Sequence, residues 1–136
     1  MTVFSNLKKR KEMIKILQFQ YMTMKIEIGE LKERKLKSDL VRQKKEYEYL
    51  TMLTGVSELK ESFGFTLGNQ VYEENFIAIN KKYYAYLESK NVSSELQELL
   101  NKKLDEIVIH KRKVDHLNNV IKKEELNILF ENICES

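Results

Sequence analysis

Apolar residues recur every seven positions along the second half of the chain. The column consists of Tyr72, Ile79, Tyr86, Ser93, Leu100, Ile107, Val114, Ile121 and Ile128, and eight of its nine members are apolar. A strict seven-residue repeat keeps one stripe facing a partner helix only when the two helices supercoil left-handedly. The pattern therefore predicts a long coiled-coil helix over about residues 70–132.

The first half repeats this pattern and then changes its frame. One column contains Leu7, Ile14, Tyr21 and Ile28, and a second, three residues later, contains Leu17, Met24 and Leu31. Further along, the apolar positions are Leu36, Leu40, Tyr47 and Leu50. We interpret this change as a slip that locally unwinds the supercoil without ending the helix. The first helix is predicted over about residues 5–54.

A glycine-rich segment separates the two patterns. Gly55, Gly64 and Gly68 are three of the four glycines, and the chain contains no proline. We predict a connector over about residues 55–69 that folds the chain back near residues 61–62, so that the numbers of paired residues sum to about 123. The whole chain, residues 1–136, is then a single elongated all-α domain, an antiparallel two-helix coiled-coil hairpin.

A second interpretation of the later helix concerns the segment Asn91-Val92-Ser93-Ser94. Ser94 and Gln97 have the spacing of a capping box, which marks the start of a helix. The seven-residue column nevertheless runs through this segment. The sequence leaves open a continuous helix, a kink, or a third helix starting near residue 94.

The charge distribution suggests a binding surface. Residues 1–48 contain 13 basic and 7 acidic side chains, whereas residues 70–136 contain 10 and 12. In the predicted hairpin two basic runs meet at the end that carries the termini. The candidate partner-binding residues are Lys8, Lys9, Arg10, Lys11, Lys111, Arg112 and Lys113. A solvated lysine-rich face is the alternative, and nucleic acid is not expected because no aromatic residues interleave with these runs to stack on bases.

Most of the aromatic residues are predicted to lie in the hairpin core. Tyr47 and Tyr49 of the first helix are expected opposite Phe76 and residues 72–74 of the second. Tyr84 lies off the stripe, so it is the candidate for an exposed aromatic contact with a partner.

No arrangement of residues indicates catalysis, a cofactor or a metal. His110 and His116 are six positions apart, about 240° around a helix, so they cannot share a ligand on one face. Cys134 is the single cysteine, which fits a reducing compartment. No apolar run approaches the roughly 18 residues that span a bilayer. We therefore expect a cytoplasmic protein that is not an enzyme.

With these features in place, the chain resembles the central-stalk proteins of bacterial type III secretion systems, the FliJ/YscO-like family. The resemblance rests on the opening Phe4-x-x-Leu7-Lys8-Lys9-Arg10-Lys11-Glu12, two long helices around a short connector, an aromatic patch that begins the second helix, and the ending Leu117-Asn118-Asn119-Val120-Ile121-Lys122-Lys123-Glu124-Glu125.

The resemblance implies a monomeric stalk that enters the pore of a hexameric export ATPase and stimulates its ATP hydrolysis without binding nucleotide. It also implies contacts with the export gate protein and secretion chaperones, a role in protein transport and virulence, and a cytoplasmic location peripheral to a membrane-embedded apparatus. The alternative is a cytosolic coiled-coil chaperone or scaffold that binds a partner helix along its apolar stripe.

Overall fold

Two long helices make up the described part of the protein. The computed structural model describes the backbone of residues 2–63 and 69–135, and the side chains of residues 5–58 and 73–134. Helix α1 spans Thr2–Phe63 and helix α2 spans Asn69–Glu135. The chain is a two-helix hairpin, as the sequence predicts.

Helix α1 is longer than predicted. It continues through Gly55 to Phe63, so the end predicted near residue 54 is wrong. A glycine in a helix costs about 1 kcal/mol relative to alanine, which the helical residues on both sides of it outweigh when no proline intervenes. The rest of the predicted connector, residues 64–68, lies outside the described residues.

Helix α2 is uninterrupted from Asn69 to Glu135. The third helix considered near residue 94 is therefore absent, and the described backbone stays helical through Asn91 and Ser94. Ser93 is buried and its hydroxyl bonds the Asp39 carboxylate on α1. Ser94, the predicted cap, thus lies inside a continuous helix, and the neighbouring Ser93 packs against α1.

The contacts group into two compact units, each built from a segment of both helices. Unit 1 contains residues 1–30 and 100–136, and unit 2 contains residues 31–99. We call the line along which the two helices meet the seam. In unit 1 the seam is closed by a buried apolar cluster of Leu7, Ile14, Val114 and Ile121, with Leu17, Leu117 and Ile128 packed against it.

The helices run antiparallel in both units, but the predicted register is wrong. Leu17 contacts His110 rather than Ile107, and Tyr49 packs on Tyr83, which was expected beside Leu40. Most partners on α2 lie about one heptad beyond the predicted ones. This error has the same origin as the misplaced end of α1, since a longer α1 moves the fold-back point towards higher residue numbers.

The seven-residue frame of α1 does not slip. The column that starts at Leu7 continues through Lys35, Arg42 and Tyr49, and the column of Leu17 continues through Ser38 and Lys45. All these positions are buried or half-buried. The predicted change of frame near residue 36 is therefore wrong, and polar residues occupy seam positions in unit 2.

Candidate functional site

The first basic run lies on α1 in unit 1, and acidic residues of α2 offset part of its charge. The Arg10 guanidinium contacts the Glu124 carboxylate, and Lys11 Nζ lies 2.9 Å from Glu125 Oε1. Lys8 and Lys9 are exposed. Two of the four residues of this run, Arg10 and Lys11, thus take part in pairing the two helices, and Lys8 and Lys9 face solvent.

The second basic run lies on α2 and does not join the first. Lys111, Arg112 and Lys113 are exposed. Glu124, which pairs with the first run, is 11 residues further along α2, about 17 Å at the helical rise of 1.5 Å per residue. The predicted gathering of seven positive charges is wrong, because it depended on the incorrect register.

Cross-helix polar pairs line the seam of unit 2. Ser93 Oγ donates a hydrogen bond to Asp39 Oδ1, and Lys82 Nζ lies 3.2 Å from Glu48 Oε2. Lys35 Nζ also donates to Asp39, at 3.0 Å. Because these groups satisfy one another, the polar residues can occupy a seam that apolar residues fill in unit 1.

These contacts alter the acidity of the two carboxyl groups. The hydrogen bond from Ser93, followed by that from Lys35, lowers the pKa of Asp39 below its ordinary value, since both stabilise the ionised form. The hydrogen bond from Lys82 lowers the pKa of Glu48 in the same way. Both carboxylates are therefore firmly ionised at neutral pH, which keeps the polar seam of unit 2 paired.

A third ion pair joins the two helices in unit 1. Lys103 Nζ lies 3.3 Å from Glu27 Oε2 and 3.6 Å from Glu106 Oε2. The hydrogen bond to Glu27 is the main cause of a raised pKa for Lys103. Lys103 is thus part of the helix pairing.

An apolar stripe in unit 2 faces away from α2. It consists of Leu36, Leu40, Tyr47 and Leu50, all exposed, and we call it the outer stripe. Each member precedes a seam residue by two positions, which rotates it about 200° around the helix. The spacings of four, seven and three residues fit the heptad positions that pack against a second helix in a coiled coil.

Sequence reasoning assigned the outer stripe to the seam, so it missed this surface. The signal that would have found it is the continued count of seven from Ile28, which reaches Lys35, Arg42 and Tyr49. The charged residues Lys35 and Arg42 hid the true frame. An apolar repeat two residues out of phase with an existing seam indicates a helix with two opposite apolar faces.

One end of the outer stripe borders a groove. The groove has a volume of about 410 Å³ and is lined by Tyr47, Leu50, Thr51, Thr54, Gly55 and Glu58. Gly55 has no neighbouring atom within 4 Å of the position that a Cβ would take. The surface there is open, and a side chain from another helix would fit beside Tyr47.

The flanks of the outer stripe differ in charge. Lys37 and Lys44 lie at the heptad positions along one edge, and Asp39 and Glu46 lie along the other. Asp39 is held by Ser93, and Glu46 Oε2 lies 3.8 Å from Arg42 Nη1. Lys37 Nζ lies 3.3 Å from Glu33 Oε1, but these two side chains are 74% and 68% exposed, so solvent weakens their attraction. The lysine edge therefore still offers charge to a partner.

The tyrosines form a cluster in unit 2 in a different arrangement from the predicted one. Tyr49 lies against Tyr83, with ring centroids 5.2 Å apart, and stacks on Tyr86 at 6.4 Å. Tyr84 is exposed, as expected for the residue that lies off the stripe. Tyr47 is 72% exposed, so its predicted place in the core is wrong.

The described residues contain no group of three or more His, Cys, Asp or Glu side chains that could hold a metal ion. Cys134 is exposed near the end of α2. Within residues 2–63 and 69–135, neither helix has an apolar stretch sufficient to cross a bilayer.

The geometry defines the class of protein as a two-helix coiled-coil hairpin with polar and apolar surfaces turned outwards. Comparison of the chain with protein-family models, with curated proteins and with solved structures gives no match. The resemblance to type III secretion stalks therefore stays a prediction.

Proposed function

We propose that the protein is a non-enzymatic coiled-coil scaffold that binds a partner helix along the outer stripe. The observation that carries this proposal is the exposure of heptad-spaced apolar residues on a helix whose other face is already filled by α2. Exposed apolar patches of this kind mark interaction sites, and a heptad-spaced stripe favours an amphipathic helix as the ligand.

The lysine edge indicates which charge the partner helix should carry beside its apolar residues. Lys37 and Lys44 lie where the flanking positions of a docked helix would pass, so acidic residues on the partner would pair with them. The proposed partner is thus an amphipathic helix with leucine or isoleucine at heptad positions and glutamate or aspartate beside them.

A designed peptide tests the proposal. We expect a heptad peptide with leucine core positions and glutamate flanks to bind the full chain, and a peptide with lysine flanks to bind at least tenfold more weakly. The variant Leu40→Asp/Tyr47→Asp should lose binding of the glutamate peptide, as measured by fluorescence anisotropy. Circular dichroism would confirm that the variant stays helical.

The matched control lies on the other helix of the same unit. Tyr84→Asp changes an exposed aromatic residue of α2 to the same charged residue, so its peptide affinity should equal that of the wild type. Binding that survives the double substitution, or that Tyr84→Asp abolishes, would show that the outer stripe is not the docking site.

A second candidate is the central stalk of a type III secretion export ATPase, which would also contact the export gate protein and secretion chaperones. The exposed side chains of Lys8, Lys9 and the run Lys111–Lys113 support this function, since a basic surface speeds association with an acidic pore. The candidate requires the chain to act as a monomer within the ring.

The stalk candidate is tested with a purified hexameric export ATPase. Lys8→Glu/Lys9→Glu should reduce stimulation of ATP hydrolysis, and higher ionic strength should weaken stimulation by the wild type. Glu58→Lys is the control, because Glu58 is an exposed residue at the connector end of α1. If Glu58→Lys abolishes stimulation and the lysine reversal does not, the connector end is the one that meets the ring.

A further inference from the structure

A separate apolar patch lies on α1 within unit 1. Ile16, Phe19, Met22 and Ile26 are all exposed, and Phe19 is 74% exposed. We call these four residues the Phe19 patch. They recur at spacings of three, three and four residues, which places them on one face of the helix. Phe19, Met22 and Ile26 each precede a seam residue by two positions, so the patch faces away from α2.

Three of the four patch residues, Ile16, Phe19 and Met22, lie in an uncharged segment of a chain where one residue in three is charged. Residues 16–24 include no Asp, Glu, Lys or Arg, and the polar members of this segment are glutamine, tyrosine and threonine. The Thr23 hydroxyl is turned towards the backbone of its own helix, where it donates to the Phe19 carbonyl oxygen at 3.0 Å. A strongly charged partner surface would find no opposite charge to pair with in residues 16–24.

From this geometry we infer that the Phe19 patch is the interface of a homodimer, and that its occupant is the same patch on a second copy of the chain. At a twofold interface the residues close to the axis lie against the same residues of the other copy, so a charge placed there would face its own kind and repel it. An uncharged apolar patch has no such penalty. This argument distinguishes a second copy from the acidic-flanked helix proposed for the outer stripe.

The area agrees with a dimer. The four exposed side chains present on the order of 500 Å² of largely apolar surface, given that one aromatic side chain alone can bury 150–250 Å². A standard interface buries about 800 Å² on each partner, of which roughly 57–65% is apolar, or about 450–520 Å². The Phe19 patch supplies this apolar core, and the two neighbouring glutamines supply a polar rim.

The dimer leaves the hairpin closed. The seam residues that follow the patch by two positions, Tyr21, Met24 and Ile28, stay packed towards α2. A twofold axis that passes between Phe19 and Met22 brings each Phe19 ring towards Met22 of the partner subunit, a favourable sulfur–aromatic contact. The inference uses residues of unit 1 alone, so its test does not depend on whether the outer stripe in unit 2 binds a partner.

Sedimentation velocity of the full chain over a range of concentrations tests the inference. We expect a monomer–dimer equilibrium, and we expect Phe19→Glu/Met22→Glu to raise the dissociation constant at least a hundredfold while helicity is unchanged. The matched control is Leu126→Glu/Phe130→Glu, which alters exposed apolar residues of α2 in the same unit and should leave the equilibrium intact.

A wild type that stays monomeric at all concentrations would overturn the inference, and so would a dimer that survives the Phe19/Met22 double substitution. If that variant loses helicity, a spin label on Gln20→Cys decides the question in a chain that also carries Cys134→Ser, because Gln20 is exposed beside the patch and the exposed Cys134 would otherwise take up label. A short distance between the labels of two subunits supports the interface. Its absence rules the interface out.

Discussion

Replacing one leucine in the seam and one on the outer stripe distinguishes a continuous heptad frame from a slipped one. Leu31 is 7% exposed in the seam of unit 2, and Leu40 is 58% exposed on the outer stripe. Both are leucines on α1, nine residues apart, so Leu31→Ala and Leu40→Ala remove the same atoms. The two leucines differ in the face of the helix on which they lie.

The structure sets the expected magnitudes. Leu→Ala at a buried position costs about 2–5 kcal/mol. The lower half of this range applies because a cavity between only two helices is not fully enclosed by protein. We expect a loss of about 2–3 kcal/mol for Leu31→Ala, which is about 10 °C in melting temperature for a chain of this length. Leu40→Ala should cost less than about 1 kcal/mol, because most of the side chain is already in water.

Urea denaturation followed by circular dichroism measures both values, at a concentration low enough to keep the chain monomeric. The slope of the transition should match the wild type, so that the midpoints report stability alone. Equal losses for the two variants, or a larger loss for Leu40→Ala, would show that the frame does slip near residue 36 and that the outer stripe belongs in the seam.

Three further substitutions test other features. Val114→Asp should cost more than about 3 kcal/mol because it buries an unpaired charge, whereas Lys113→Asp on the neighbouring exposed position should change the unfolding free energy by about 0.5 kcal/mol or less. Asp39→Asn should lower the melting temperature at neutral pH. Because the folded pKa of Asp39 lies below the ordinary 3.8, this difference should vanish as the pH falls through that lower value, and a constant difference would contradict the assigned pairing. His110→Leu should raise the melting temperature, since leucine fills a buried seam position. A lower value would mean that the 2.7 Å hydrogen bond from His110 Nε2 to the Leu17 carbonyl oxygen outweighs apolar packing.

The sequence predicted the fold and the seam of α2 because those depend on periodicity alone. Every described member of the column from Ile79 to Ile128 is buried or half-buried. The seam of α1 was predicted only as far as Leu31, since beyond it the apolar residues lie on the outer face. Lys35 and Arg42 are half-buried at seam positions, and a division of residues into polar and apolar does not account for long charged side chains, whose aliphatic part can cover apolar surface.

Register was not predictable from the same pattern. A shift of seven residues leaves a heptad column unchanged, so the only information on register was the position of the connector. Thr54-Gly55 was interpreted as a helix end, which moved the fold-back point and wrongly joined the two basic runs. The basic runs themselves were visible in the sequence, but the partners of Arg10 and Lys11 depend on the three-dimensional pairing.

The polar pairs in the seam of unit 2 supply the information that the apolar repeat lacks. If α2 slid by one heptad, Tyr86 or Leu100 would replace Ser93 beside Asp39, and Asn75 or Ser89 would replace Lys82 beside Glu48. Each misaligned hairpin would remove the donors that Ser93 and Lys82 supply across the seam. Apolar layers tolerate such a slide, whereas these pairs make it costly, so they hold the two helices of unit 2 in one alignment and keep the outer stripe free for a partner.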